Sequence, residues 1–183
     1  VVLDNCANSG EIKMARAAIE ANWVGGIVAN YAGADGVIRD CDNAGEVCLF
    51  DENAKTASSV MIGGVAGVVS ACRTFERNTN KALVRNHNIN TNSTNTNKEY
   101  TGGVIVGGII GLLSCDLTVD NCSTLWTSGD VRDDFSSSVT DDKQITTSNT
   151  TSYIKLGGIA GQVTAAAKIQ NCINAGLVQK IAK

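Results

Sequence analysis

The sequence predicts an all-β fold, a right-handed parallel β-helix (β-solenoid) of about 4–5 coils with loop insertions. Three observations predict it. Two short segments recur alternately along the 183 residues, and the apolar runs within them have the length of strands. The composition also combines 19 glycines with no proline and only 4% aromatic residues. Because conventional cores depend on aromatic side chains, we expect a stack that buries many small aliphatic residues instead.

The first recurring segment is a glycine-rich strand in which an apolar residue precedes Gly-Gly. It starts four times, at Val24, Ile62, Val106 and Leu156. The apolar residues of each copy also have helical spacing, which would fit packed helices. However, three glycines in the eight residues from Leu156 would cost an isolated helix about 1 kcal/mol each. The apolar residues are mostly β-branched as well, so a strand is the preferred interpretation.

The second recurring segment predicts a strand, a sharp corner and a short strand. Its five copies start at Leu3, Ile38, Val84, Val119 and Ile169. Four copies carry Cys three residues after that start, and the third is aligned with His87 at this position. From the first glycine of each pair to this position is 16, 24, 15 and 15 residues. Asn and Gly, as in Asn174-Ala175-Gly176, tolerate the left-handed backbone of a tight corner, so about three strands are expected per coil.

We expect residues 1–183 to form a single domain that is a segment of a longer protein, because the chain opens partway through a repeat without Met. The predicted coils are 1–22 (partial), 23–60, 61–101, 102–153 and 154–183. Three insertions are expected to project from the stack and to carry any specific surface chemistry. They are a helix-forming stretch at 13–21, a polar low-complexity stretch at 86–97, and an acidic, hydroxyl-rich stretch at 132–152.

Composition argues against two classes of partner. A net charge of −3 and a pI near 5.1 do not suit a nucleic-acid-binding protein, which normally carries a basic face. The longest uncharged apolar stretch, Thr101 to Cys115, is shorter than the roughly 20 residues that a membrane-spanning helix needs. We therefore expect neither nucleic-acid binding nor membrane insertion.

Cysteine is the most informative polar residue of the repeat. One repeat position is shared by Cys6, Cys41, Cys122 and Cys172. A buried ladder of thiols is the favoured interpretation, because free Cys behaves as a small hydrophobic residue. Disulfides between neighbouring coils are the alternative, since Cα atoms near 5 Å apart are within disulfide range.

The remaining cysteines extend this pattern. Cys72 and Cys115 follow their glycine strands at similar offsets and form a second candidate pair, which leaves Cys48 over. With seven cysteines, at least one thiol is free or joined to another chain. A metal site at Cys41, His87 and Cys122 is a further alternative, but a straight column suits tetrahedral zinc poorly, so no metal or cofactor is expected.

No catalytic residue is predicted. His87 is the only histidine, and no nucleophile is proposed beside it. The paired carboxylates Asp133-Asp134 and Asp141-Asp142 are adjacent in sequence, and adjacent residues of a strand point to opposite faces. They are therefore not a ready acid/base couple; a solvated acidic loop is expected, with weak calcium binding as the alternative. We expect the protein not to be an enzyme.

Glycosylation sequons provide two candidate modification sites. Asn92 and Asn149 start Asn-x-Ser/Thr sequences within the predicted insertions, where a eukaryotic host could glycosylate them. A third sequon starts at Asn121, but this residue lies in the repeat corner and is expected to be structural.

The last coil carries a resemblance to a known repeat. Its residues are Gly157, Gly158, Ile159 and Gly161, followed by Ile169, Asn171, Cys172, Asn174, Gly176 and Val178. This pattern resembles the GLUG repeats of bacterial surface adhesins, which also occur as accessory repeats in secreted immunoglobulin A proteases. The resemblance implies a β-solenoid, an extracellular or cell-surface location, and a role in attachment or as a spacer, without catalytic residues.

Three functions follow as hypotheses. The first is a non-catalytic extracellular structural or adhesive segment, a rigid stalk that presents variable loops to host or surface glycans or proteins. The second is a filament subunit that stacks end to end on neighbouring domains or copies of itself through exposed coil edges. The third is a carbohydrate-binding or carbohydrate-active β-helix, which predicts acidic and aromatic residues clustered on one face.

Overall fold

The computed structural model describes residues 1–15, 21–51, 59–88, 103–125, 131–134 and 154–181. Within these ranges the chain forms 23 β-strands and no helix. Every strand pair is parallel, so the predicted all-β class with parallel sheets is confirmed.

The strands repeat in groups of five, and each group is called a coil here. Coil 1 contains β1 (Val2–Asp4), β2 (Ala7–Asn8), β3 (Ile12–Ala15), β4 (Asn22–Gly25) and β5 (Val28–Ala32). Coil 2 contains β6 (Val37–Arg39), β7 (Asp42–Asn43), β8 (Val47–Asp51), β9 (Val60–Gly63) and β10 (Ala66–Ala71). Coil 3 contains β11 (Thr74–Glu76), β12 (Thr79–Asn80), β13 (Val84–Asn88), β14 (Val104–Gly107) and β15 (Ile110–Leu113). Coil 4 contains β16 (Thr118–Asp120), β17 (Ser123–Thr124), β18 (Val131–Asp134), β19 (Ile154–Gly157) and β20 (Ala160–Val163). Coil 5 contains β21 (Lys168–Gln170), β22 (Ile173–Asn174) and β23 (Val178–Ile181).

Corresponding strands of successive coils form five sheets, named A to E in the order in which the chain passes through them. Sheet A joins β1, β6, β11, β16 and β21, and the other sheets are built in the same way. Equivalent residues pair across each sheet: Val104 lies beside Val60, for example, and Val106 beside Ile62. Each coil therefore repeats the path of the coil before it.

The expectation of three strands per coil is wrong, because each recurring segment bends more often than predicted. The Cys-containing segment bends at a left-handed residue and again at an Asn-centred turn, and so supplies strands to sheets A, B and C. The glycine segment bends after its Gly-Gly pair and supplies sheets D and E.

The left-handed corner was expected at Asn174-Ala175-Gly176, and this expectation is also wrong. Positive φ angles of 52–55° occur once per coil, at Asn5, Asp40, Arg77, Asn121 and Asn171, and at no glycine of the described ranges. The turn at Asn174 is instead closed by its own side chain. Its Nδ2 donates to the Gly176 carbonyl at 2.9 Å, and its Oδ1 accepts from the Gly176 N–H at 3.2 Å.

The structure also corrects the alignment of the third Cys-containing segment. Thr79 pairs with Asp42 on one side and with Ser123 on the other, which places Asn78 in the column of Cys41 and Cys122. His87 is not in that column, because its backbone belongs to sheet C, between Phe50 and Asp134. With Asn78 in the third copy, the irregular interval of 24 residues becomes 15, counted from Gly63.

Within the described ranges, the interior contains two separate hydrophobic cores. The larger core lies between sheets E and A, and its largest fully buried side chains include Ile38, Phe75, Ile109 and Leu113. The smaller lies between sheets C and D, and includes Val47, Leu49, Ile62, Val84 and Val106. Sheet D therefore faces one core and sheet E the other.

Glycines allow sheets D and E to lie directly against each other between the two cores. A Cβ on Gly67 of sheet E would come within 2.7 and 2.8 Å of the backbone O and N of Val24 in sheet D of the preceding coil. Gly111 and Gly161 meet Ile62 and Val106 in the same way. The corresponding residue of coil 1 is Ala29, which is exposed. Glycine is thus found where the two backbones touch.

The predicted insertions begin later than expected. The first residues of 13–21, 86–97 and 132–152 belong to strands β3, β13 and β18 of sheet C. For the predicted helix at 13–21, the structure has strand through Ala15 and does not describe 16–20. The remaining parts of the other two insertions lie outside the described residues.

Candidate functional site

The corner between sheets A and B holds the predicted cysteine ladder. One residue per coil occupies it, and these five residues are called the corner column: Cys6, Cys41, Asn78, Cys122 and Cys172. Each follows a left-handed residue, at which the chain turns from sheet A into sheet B, and the corner cysteines pack in or against the larger core. The thiols bind locally, because each donates to the carbonyl two residues earlier, at 3.2 Å for Cys41, 3.3 Å for Cys122 and 3.1 Å for Cys172.

Asn78 interrupts the thiols in the middle of the corner column. Its Oδ1 accepts the Cys41 N–H at 3.0 Å, and its Nδ2 donates to the Ile38 carbonyl at 3.1 Å. Both its polar groups therefore bind the backbone of coil 2. The column is divided into two thiol pairs, Cys6 with Cys41 and Cys122 with Cys172.

The second predicted pair, Cys72 and Cys115, lies where sheet E leads into sheet A in coils 2 and 3. The Cys72 thiol is buried and donates to the Thr74 carbonyl at 3.1 Å, and Cys115 is half-buried. All seven cysteines are free thiols in the structure. Whether they pair under oxidising conditions remains a prediction.

Burial raises the pKa of several thiols. Desolvation raises the pKa of Cys41, Cys48, Cys72 and Cys115, and it raises the pKa of Cys122 to about 12. Since the thiolate is the nucleophile and metal ligand, the raised pKa keeps these five thiols mostly protonated at neutral pH and slows their reactions. Cys41, Cys72 and Cys122 lie in the larger hydrophobic core, and Cys115 packs against it.

Sheet B contains a second column that sequence analysis did not identify. One residue per coil occupies it, and together these form the asparagine ladder: Asn8, Asn43, Asn80, Thr124 and Asn174. Asn8 Nδ2 donates to Asn43 Oδ1 at 2.8 Å, and Asn43 Nδ2 donates to Asn80 Oδ1, also at 2.8 Å. Asn43 and Asn80 are fully buried.

Each ladder amide also closes its own turn. The second Nδ2 hydrogen of Asn43 goes to the Gly45 carbonyl at 2.9 Å, and that of Asn80 goes to the Ala82 carbonyl at 2.8 Å. The same side chain thus fixes the turn between sheets B and C and the stacking of one coil on the next. In coil 4 Thr124 replaces Asn, and its hydroxyl donates to the Gly158 carbonyl at 2.8 Å.

The ladder explains the second glycine of each Gly-Gly pair. A Cβ on Gly26 would lie 2.4 Å from Asn43 Cγ, and a Cβ on Gly64 would lie 2.4 Å from Asn80 Cγ. Glycine in one coil therefore accommodates the asparagine of the next. The signal was present in the sequence, because Asn43, Asn80 and Asn174 each lie two residues after the corner-column residue.

An exposed row of charged residues follows the outer side of the A–B corner. Arg39 binds Asp4 at 2.6 Å, and Arg77 binds both oxygens of Asp40 at 2.7 and 2.8 Å. These hydrogen bonds lower the pKa of Asp4 and of Asp40. Because the groups are exposed, the pairs align neighbouring coils more than they stabilise them.

The connection between sheets C and D differs in length from coil to coil, and this side of the stack is called the variable edge. Every passage from sheet C to sheet D contains residues between the strand bounds, at 16–21, 52–59, 89–103 and 135–153. The strand bounds give lengths of 6, 8, 15 and 19 residues. All four segments leave and return at the same edge, because the strands on both sides stack in register.

Most of the other predicted sites lie outside the part of the chain that the structure describes. Asn92, Asn149 and Asp141-Asp142 lie outside the described residues. Asp133 and Asp134 are consecutive residues of β18. Across the described ranges, no group of three or more His, Cys, Asp or Glu residues is arranged to hold a metal ion. The same ranges contain no helix of the length and hydropathy needed to cross a bilayer.

Comparison with known proteins gives no match: neither a family model, nor a curated protein, nor a solved structure is significantly similar to this chain.

Proposed function

We propose that the chain is a segment of a right-handed parallel β-solenoid that acts as a non-catalytic, extracellular stalk and presents variable segments to a partner. The observation that carries this proposal is the variable edge. Four segments of increasing length emerge along one side of a stack whose A–B and D–E corners keep a constant length of two residues. Stacked repeats that hold loops on one face commonly use that face for binding.

The stack has the properties of a stiff support. Coils 2 to 4 pair their backbones with both neighbours, and the buried amides of Asn43 and Asn80 link three successive coils. A coil of this kind buries its apolar residues only against its neighbours, so bending the stack would open the core. A rigid rod separates the presented segments at a fixed spacing, about 4.8 Å per coil.

The extracellular and adhesive part of the proposal rests on the resemblance to GLUG repeats. With the third copy corrected to Phe75 to Val84, the Cys-containing segment occurs in every coil, and the interval between copies of the two segments is nearly constant. A carbohydrate-binding role would use the same edge, with glycans as the ligand in place of surface proteins.

The variable edge can be tested by exchanging its segments. Residues 89–103 and 135–153 would each be replaced by Gly/Ser linkers of the same length. We expect unchanged thermal unfolding, because the linkers join the same strands, and loss of binding to immobilised glycans or to host-cell surfaces. The matched control changes Thr74 and Thr118, which lie in sheet A away from this edge. Binding that survives both linkers, or that is lost only in the control, would refute presentation by this edge; glycan cleavage by the wild-type chain would refute the non-catalytic role.

Self-assembly into filaments is a second candidate, favoured by exposed apolar residues in coil 5. Ile169 and Ile173 are 42% and 63% exposed, whereas Val119, the residue beside Ile169 in sheet A, is fully buried. Electron microscopy of a concentration series distinguishes the candidates. Fibres with an axial repeat of about 4.8 Å would support assembly, whereas short rods at every concentration would reject it.

A further inference from the structure

We propose that the stacked thiols form three redox-sensitive staples, Cys6–Cys41, Cys72–Cys115 and Cys122–Cys172, which close to disulfides between neighbouring coils and reopen on reduction. The proposal concerns the modification of the coils themselves and does not depend on what the variable edge binds.

The two corner-column pairs lie in adjacent, in-register coils. Ala7 pairs with Asp42, so Cys6 lies beside Cys41, and Ser123 pairs with Ile173, so Cys122 lies beside Cys172. Neighbouring strands are about 4.8 Å apart, inside the range of roughly 4.4–6.8 Å that disulfides span between Cα atoms. The sulfurs already contact the adjacent coil, since the Cys122 N–H donates to Cys172 Sγ at 3.4 Å.

The third pair is formed at the end of sheet E. The Ser114 N–H donates to the Val69 carbonyl at 2.9 Å, which sets the end of β15 beside the end of β10. The register on both sides of this turn, Val69 with Leu113 and Phe75 with Val119, places Cys115 opposite Ala71, the residue next to Cys72 in the neighbouring coil.

In each of the three pairs, one thiol is more exposed than the other. Cys6, Cys115 and Cys172 are half-buried, and their respective partners Cys41, Cys72 and Cys122 are buried. One thiol of each pair can therefore meet an oxidant, while the other can react only with its neighbour. This arrangement favours closure within a pair over reaction with another chain.

The choice of partner is unambiguous because of two other residues. Asn78 separates Cys41 from Cys122, so neither thiol has a second neighbour in the corner column. Cys48 lies in sheet C beside Lys13 and Arg85, away from the pairs. Six of the seven cysteines are thus matched, and the seventh has no cysteine next to it in its sheet.

Closure needs an oxidant, and a small-molecule disulfide such as oxidised glutathione is the class proposed. The half-buried thiol, as thiolate, attacks one sulfur of the oxidant, forms a mixed disulfide and expels one small thiolate. The buried thiol then attacks the protein sulfur of that mixed disulfide and expels the second. The two protons of the protein thiols end on the two released thiols, so the pair loses two hydrogens in total.

The closed form is expected to be readily reduced. Ideal stacking holds Cβ atoms near the 4.8 Å strand spacing, whereas unstrained disulfides prefer roughly 3.5–4.5 Å. Strained disulfides have more oxidising potentials and serve as labile rather than permanent links. The staples would therefore respond to the redox state of the surroundings.

The test is oxidation of the full chain with oxidised glutathione, followed by intact mass and non-reducing peptide mapping. We expect a mass loss of about 2 Da per staple, roughly 6 Da in all, the three named links, and alkylation of Cys48 alone after denaturation. A few millimolar dithiothreitol should restore the starting mass. Glutathione that stays attached to the half-buried cysteines, or links between other cysteines, would overturn the proposal.

Three variants distinguish these links from random oxidation. Cys48→Ser should leave all three links, and Cys6→Ser should abolish only the first, leaving Cys41 reduced. Asn78→Cys should create a continuous column and give new links from residue 78 to Cys41 or Cys122. A Cys6→Ser protein in which Cys41 pairs elsewhere would contradict the assignment even if the stack folds normally.

Discussion

Two corners of the same coil follow opposite rules. The corner between sheets A and B has two residues between strands in every coil, such as Asn5-Cys6 in coil 1 and Asn171-Cys172 in coil 5. The variable edge between sheets C and D grows from 6 to 19 residues along the chain. The difference lies in what the corner contacts. The A–B corner inserts a side chain into the packed interior, so its length is fixed, whereas the variable edge only has to join two strands.

The largest difference in stability is expected when the same peptide is inserted at each of the two corners in turn. Four residues, Gly-Ser-Gly-Ser, between Arg77 and Asn78 displace Asn78 from Cys41 and Ile38, so we expect loss of cooperative folding. Between Asn95 and Thr96 the same insertion lengthens a 15-residue segment, at a cost of about 0.2 kcal/mol in loop-closure entropy. Urea unfolding followed by circular dichroism measures both. Similar losses at the two positions would show that the variable edge is also constrained.

A methyl group at the glycine–asparagine contact should have the next largest effect. The Cβ of Gly64→Ala would lie 2.1 Å from the Gly108 carbonyl and 2.4 Å from Asn80 Cγ, so coil 2 and coil 3 must separate. We expect a loss of about 4 kcal/mol in the free energy of unfolding, the upper range for single substitutions. Gly10→Ala is the matched control, because its nearest contact is Asn8 Oδ1 at 3.7 Å. Equal stability of the two variants would mean that the coils can separate without loss.

Removing one amide of the ladder should have a smaller effect. Asn80→Ala leaves a buried Nδ2 hydrogen of Asn43 without an acceptor and opens the turn at Ala82. One unsatisfied buried donor costs about 1–3 kcal/mol, so we expect a loss of about 2 kcal/mol. The comparison is Asn174→Ala, where the side chain makes the same turn but is exposed, and a loss below about 1 kcal/mol is expected. Urea unfolding measures the loss of stability in both variants. Equal and small losses would show that the asparagine ladder does not stabilise the stack.

The strand content was predictable, whereas the number of corners was not. Alternating glycine and cysteine segments indicate a parallel stack, because each coil repeats the residues that meet in the next. The left-handed corner could not be read from residue type, since Asp40 and Arg77 occupy it beside three asparagines. Its position is set by the requirement that the next side chain enter the core, which depends on all the coils together.

The misplaced His87 shows how the alignment failed. The polar stretch Val84 to Ser93 resembles the repeat in composition, yet it lacks the Asn-x-Gly turn of the first, second and fifth copies. Phe75 to Val84 keeps the apolar first residue and the ladder residue Asn80, although Asn78 replaces Cys. Pairing constraints outweigh the identity of a single residue, so the regular 15-residue interval was the better guide.

The weakest effect is expected from the ion pairs outside the A–B corner. The hydrogen bond from Arg77 lowers the pKa of Asp40 below its ordinary value of 3.8, so the folded state favours the carboxylate. This stabilisation is present above the unfolded pKa and is lost as the pH falls through the lowered folded pKa.

Between pH 5 and pH 2.5, wild type should therefore lose slightly more stability than Asp40→Asn, in which nothing titrates at this position and Asn still tolerates the positive φ. Asp35→Asn, which removes an exposed carboxylate before β6 and outside this row of charges, is the matched control. Urea midpoints across this pH range measure the difference, which high salt should reduce because exposed pairs are screened. If Asp40→Asn and wild type lose the same stability in acid, this row of charges aligns the coils without stabilising them. The fixed length of the A–B corner would then depend on its buried side chains alone.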